Sequence, residues 1–184
     1  PPFAKVPEDE EWRTASANGD KLFDTIGCSS CHIRALPLSS LEFADPGPVD
    51  AAGTLRGDED GAAAVYDLGL YEWASLLARN DKGEVMVPLF GDLKRHRIAD
   101  QKVAVLGNEL LAQRFVDRDV FMTSELWGIA DTGPYGHRGD LTTLDEVIRA
   151  HGGEGSQSAR AYEALPDADR SALIAFLKTL VIER

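Results

Sequence analysis

The sequence predicts a helical chain with long irregular loops, on three observations. An amphipathic stretch beginning at Asn18-Gly19-Asp20 places Leu22, Phe23 and Ile26 on one stripe and runs directly into Cys28. A second stretch opens with a capping box at Thr143-Leu144-Asp145-Glu146, sets Leu144, Val147, Ile148 and His151 at i, i+3, i+4 and i+7, and stops at Gly152-Gly153. A third starts near Pro166-Asp167 and carries Leu173, Phe176, Leu177, Leu180 and Val181 on one face, suited to packing across the first.

Taken in order, residues 1–17 are rich in proline and acid and read as a lead-in, leaving 18–184 as a single domain. Pro37, Pro46, Pro48 and four glycines up to Gly61, with the acidic run Asp58-Glu59-Asp60, predict an irregular insertion over about 37–61. Val65, Leu68, Leu70, Trp73, Leu76 and Leu77 suit a short helix within 64–80, and Asn108 to Phe115 a weaker one. Val85 to Phe90 is a brief apolar segment. It leads to Lys94-Arg95-His96-Arg97, the one dense basic cluster of the chain, which suits either solvent or an anionic group. Gly133-Pro134-Tyr135-Gly136-His137-Arg138-Gly139-Asp140 is a turn-rich loop.

The chain has 184 residues, 43% apolar and 27% charged, an ordinary globular mixture with a formal charge of −12. That charge argues against nucleic acid or an anionic membrane as partner and suits a basic docking patch on another protein; a solubilising surface is the plainer reading. No run of about twenty apolar residues is present to span a bilayer.

The chemistry concentrates in Cys28-Ser29-Ser30-Cys31-His32. This C-x-x-C-H spacing lets two thiols add to the vinyl groups of a haem while the adjoining imidazole takes one axial position on the iron. These are the only two cysteines of the chain. A disulfide three residues apart, a thioredoxin-like pair and a zinc site are the alternatives, and the flanking sequence offers neither a βαβ context nor further ligands. One covalently attached haem c is therefore expected, and with it a periplasmic or otherwise exported protein whose signal peptide is not present in this sequence. His151 is the second histidine that helical periodicity turns inward; a cation against the helix dipole or a core side chain would also account for it. His137 and Arg138 suit hydrogen bonds to propionates, and Trp127 and Tyr135 packing near the ring.

The block Phe121 to Ile129, the loop Gly133 to Gly139, the stretch Thr143 to Gly153 and the closing Ser171 to Leu180 resemble the C-terminal haem domain of the di-haem cytochrome c peroxidase superfamily, and in particular its di-haem oxidoreductases of thiol-oxidoreductase-like type. Leu22 to His32 and Val87 to His96 look like the same branch, so the likeness covers roughly residues 18–182. The resemblance implies an all-α cytochrome c fold with long loops around a covalently bound haem. It also implies a distal ligand fourteen residues beyond the loop histidine; counted from His137 this is His151, where the peroxidases usually have Met. The sequence departs from the pattern at Gly136 and Arg138, and it carries one C-x-x-C-H where a peroxidase needs two haems. The expectation is a bis-histidine electron carrier, His32 opposite His151, that passes electrons to a redox partner and is not itself an enzyme. The alternative is a peroxidase or oxidase module whose catalytic haem lies elsewhere.

Overall fold

The computed structural model describes residues 3–5, 7–45, 64–111 and 115–182. In chain order its elements are β1 (Phe3–Ala4), α1 (Glu10–Thr25), β2 (Leu36–Leu38), β3 (Glu42–Asp45), β4 (Ala64–Asp67), α2 (Glu72–Ser75), β5 (Val85–Val87), β6 (Arg95–Arg97), β7 (Val120–Met122), α3 (Leu144–Arg149), α4 (Ser156–Glu163), α5 (Asp167–Leu177) and β8 (Leu180–Val181).

The all-α expectation is overturned. Eight short strands accompany the five helices among the described residues, joined in antiparallel pairs β1–β8, β2–β5, β3–β4 and β6–β7. The reason lies in the backbone groups of the long connections. A loop without a helical stripe must still satisfy its N–H and C=O groups, and here segments of two to four residues do so by pairing with one another. Within 64–80, where a short helix is expected, β4 and a 3₁₀ turn at Leu68–Leu70 come first and the helix is the four-residue α2. Residues 108–111 are not helical, and 112–114 lie outside the described residues, as does the part of the insertion over 46–61.

The chain divides into two compact units, Leu36–Val87 and the remainder, Pro1–Ala35 with Pro88–Arg184. The first holds the β2–β5 and β3–β4 ladders, with Val85 and Ala74 buried.

The larger unit is organised on the crossing of α1 with α5. Helix α1 begins eight residues before the cap read at Asn18: Asp9 caps it, accepting from the Trp12 amide at 2.8 Å, so the second half of the expected lead-in, residues 10–17, is helical. Gly19 starts nothing. It is a notch in mid-helix, where a β-carbon would lie 2.0 Å from the Ala172 carbonyl oxygen of α5. That approach brings Phe23 against Phe176, ring centroids 5.5 Å apart, and the core is completed by Ile26, Leu144, Tyr162, Leu173, Leu177 and Leu180. Each large apolar side chain buried there contributes roughly 1.5–3 kcal/mol. Leu173, Phe176, Leu177 and Leu180 of the predicted stripe thus lie in the core, with Leu180 and Val181 in β8 and not in the last helix.

Candidate functional site

Helix α1 delivers the C-x-x-C-H motif to the floor of a cavity. Its C-terminus passes into a turn at Gly27, whose φ of +88° is a left-handed conformation that glycine adopts without cost, and a 3₁₀ turn over Cys28–Ser30 follows. The His32 amide donates to the Cys28 carbonyl at 3.0 Å, which fixes the histidine relative to the first thiol. Arg34 braces the exit of the motif, pairing with Asp20 and Asp24 of α1 while its guanidinium lies 5.4 Å from the Phe23 ring centroid.

The cavity has a volume of about 430 Å³ and is lined by Cys28, Cys31, His32, Tyr135, His137 and His151 together with His96, Phe121, Met122, Leu126, Val147 and Ile148. Both thiols are free. Burial, aided by the nearby Asp24 carboxylate, pushes Cys28 up to about 11, which makes it a poor nucleophile at neutral pH.

The two histidines are prepared alike. The Nδ1–H of His32 donates to the Phe90 carbonyl at 3.0 Å, and that of His151 to the Val147 carbonyl at 2.7 Å. A carbonyl can only accept, so the proton sits on Nδ1 in each ring and Nε2 carries the lone pair. Burial lowers the pKa of both rings, and each lies in the field of the cavity as a neutral imidazole; His151 further depresses His32. His151 lies just past the helix it was expected to end: α3 stops at Arg149, Ala150 caps it, and the His151 amide donates to Ile148 at 3.3 Å. The capping box is present as read, with Thr143 Oγ1 accepting from the Glu146 amide at 3.2 Å.

Tyr135 also lines the cavity, its hydroxyl donating to the Ile129 carbonyl at 2.9 Å. His137 is exposed and stacked on Phe121, centroids 4.4 Å apart. Arg138 and Trp127 lie elsewhere: the guanidinium of Arg138 donates to the Asn108 carbonyl at 2.8 Å, and the Trp127 indole N–H to the Pro88 carbonyl at 2.8 Å, neither side chain lining the cavity. His96 belongs to the basic cluster read as suited to solvent or to an anionic group. It lines the cavity with its Nε2 2.9 Å from Asp92 and its Nδ1 2.9 Å from Glu154. The basic cluster was visible, but Glu154 is 58 residues away, and no local pattern announces the pair.

This donor set fits a haem. A largely apolar cavity of the size that cofactors occupy, two thiols at one edge and two backbone-anchored neutral imidazoles are what covalent attachment and axial ligation require. A bare metal ion finds less here, since no group of three or more His, Cys, Asp or Glu side chains suited to one occurs among the described residues. No helix among the described residues is long and apolar enough to cross a membrane.

Comparison with known proteins agrees. A family model described as "Di-haem oxidoreductase, putative peroxidase" matches residues 6–180. A cytochrome-c peroxidase IdrP2 of Denitromonas iodatirespirans is 36% identical over 78 residues, 41% of this chain and 21% of the relative. The protein of the same name from Pseudomonas sp. (strain SCT) is 44% identical over 69 residues, 35% of this chain and 18% of that one. The matched stretches thus make up about a fifth of those relatives' own lengths. No solved structure matches the chain.

Proposed function

Since the chain belongs to the di-haem oxidoreductase family, a haem-protein redox function follows, and we propose that it is carried out as electron transfer through one c-type haem held by His32 and His151. The observation that carries this reading is the matched pair of buried imidazoles, each with Nδ1–H tied to a backbone carbonyl and Nε2 left as the basic nitrogen of a ring lining one cavity. The bound group supplies an iron that exchanges one electron between its ferrous and ferric states.

The chain's own residues do the rest. Cys28 and Cys31 would hold the group covalently, each thiol adding across a vinyl group, so that it could not dissociate. His32 and His151 would hold the iron through their Nε2 atoms, leaving no place on it for a reactant. Two imidazoles give a lower potential than the His/Met pair, because Met ligation raises it. Leu126, Val147 and Ile148 exclude water from the cavity walls. His137, at the exposed rim, serves the propionates, while Tyr135 shapes the wall. The acidic surface, with a formal charge of −12, favours a redox partner bearing a basic patch. Location in the periplasm or another exported compartment goes with covalent attachment.

A second reading has its own support: the family is described as di-haem, the relatives are named peroxidases, and this chain has a single C-x-x-C-H. On that reading the chain is the electron-relaying module of a peroxidase-type oxidoreductase whose catalytic haem lies elsewhere. Both readings assign the same ligands to this haem. An optical spectrum tests them together: low-spin six-coordinate bands in both redox states, unmoved by peroxide, cyanide or carbon monoxide, are expected. His151→Ala is expected to turn the spectrum high-spin while the haem stays attached through denaturation and solvent extraction. A wild-type ferric spectrum that is already high-spin refutes the assignment.

A further inference from the structure

The carboxylates flanking His96 do not belong to one surface. Asp92 follows a stretch pinned to the His32 segment: Phe90 accepts from His32, the Phe90 amide donates to the Arg34 carbonyl at 3.2 Å, and the Gly91 amide to the Ile33 carbonyl at 3.0 Å. Its side chain is only 3% exposed, and its second oxygen accepts from the Lys94 amide at 2.9 Å. Glu154, by contrast, stands three residues beyond His151. The segment between them is fastened to the β6 side of the cavity: the Gly152 amide donates to the Ile98 carbonyl at 2.9 Å, the Gly153 amide to Asp100 at 2.9 Å, and the Arg97 amide to Glu154 at 2.8 Å. Gly153 lies at a φ of +50°, with Arg97 so close that a β-carbon would sit 2.3 Å from its carbonyl oxygen.

We propose that His96 is a positioning residue: bridging Asp92 and Glu154, its ring couples the segment behind His32 to the segment behind His151 and so fixes the separation of the two imidazoles across the cavity. This rests on the bis-histidine reading of the site. The plain alternative, a solvated surface cation, is disfavoured by geometry, since both ring nitrogens are engaged and the side chain is 17% exposed. The hydrogen bonds to Glu154 and then Asp92 raise the pKa of His96, favouring the charged ring in the bridge. Removing the imidazolium takes one charged partner from the buried Asp92 carboxylate and leaves the Glu154 side chain held by the Arg97 amide, so the segment next to His151 is less tightly fixed. His151 can then leave the iron without the chain unfolding.

The experiment compares the haem-loaded wild-type protein with His96→Ala and with Glu154→Gln, which keeps the acceptor for the Arg97 amide and loses the charge. Added imidazole is titrated into each ferric protein and followed optically, with far-UV circular dichroism confirming the fold. His96→Ala is expected to show a high-spin fraction and to bind imidazole about tenfold or more tightly than wild type, the scale of a lost partner behind a metal ligand. Glu154→Gln is expected to shift in the same direction by less, and it carries the comparison if His96→Ala accumulates no folded haem protein. A low-spin wild type matched in spectrum and imidazole affinity by both variants overturns the bridge alone. A wild type that is high-spin at the outset overturns the ligand assignment, and the bridge with it.

Discussion

Gly19→Ala sets two effects of opposite sign against each other. In an exposed helix interior this change stabilises by about 1 kcal/mol, because alanine restricts the unfolded chain and favours the helix. At this position the new methyl group would lie 2.0 Å from the Ala172 carbonyl oxygen and 2.9 Å from the Leu173 α-carbon. Both are backbone atoms, so no rotamer relieves the overlap and the crossing of α1 with α5 must open by roughly an ångström or more, a gap that forfeits a quarter to a half of each contact's dispersion energy. Phe23, Leu173 and Phe176 lie beside that crossing, each at most 5% exposed. Overpacking against rigid backbone belongs at the upper end of the usual range, about 3 kcal/mol, so the net cost is about 2 kcal/mol, a fall in melting temperature of roughly 4–8 °C for a chain of this size. The assay is thermal unfolding of the haem-loaded protein followed by far-UV circular dichroism. Ala17→Gly, on the exposed side of the same helix, is the control and is expected to cost about 1 kcal/mol. A Gly19→Ala protein that melts higher than wild type refutes the notch.

Thr143→Ala removes the cap of α3, the helix that leads to His151, and is expected to cost about 1 kcal/mol in urea unfolding, with Glu146 losing its reciprocal partner. Tyr162→Phe deletes a hydroxyl that donates to Asp145 at 2.7 Å from a fully buried ring; a loss of about 1 kcal/mol is expected, since Asp145 keeps its bond to Arg149, and an unchanged melt would count against that bond's worth. The pH dependence of stability has two limbs at the Asp92–His96 pair. Burial opposes the charge on Asp92, but the Lys94 amide, the Thr123 hydroxyl and His96 outweigh it and hold the carboxyl at about 2, so its contribution is complete above the ordinary aspartate value and is lost as pH falls toward 2. His96 is raised, so its contribution is complete below the ordinary histidine value and is lost as pH rises through the raised one. Urea unfolding across pH should show Asp92→Asn without the first limb and His96→Ala without the second; parallel profiles for wild type and both variants would sink the pairing.

What was legible in the sequence was what is encoded over a turn or two. The stripe Leu173, Phe176, Leu177 and the Thr143–Glu146 box state their helices locally, and both are found. The C-x-x-C-H motif is contiguous, and the inward turn of His151 follows from spacing within α3 even though the ring lies one residue past its cap. The strands were not legible, because each is two to four residues long and takes its meaning from a remote partner; β1 pairs with β8 across almost the whole chain. Gly19 misled for a related reason: between Asn18 and Asp20 a glycine reads as a helix start, and it is a packing notch only once Ala172 is beside it. Composition marked Trp127 and Arg138 as suited to a cofactor without giving their direction, and Pro88 and Asn108 claim their polar ends. His96 was hidden in the opposite way, as one cation among four whose role depends on Glu154.

The burial of Cys28 bears on how such a site survives until it is filled. Disulfide formation begins with a thiolate, and a thiol held at about 11 is ionised in only roughly one molecule in ten thousand at pH 7. Attack by Cys28 on an oxidised Cys31 is thereby slowed, which favours the reduced form that thioether bonding consumes. The same wall that will shelter the iron also acts as a preservative for the hooks that are to catch it.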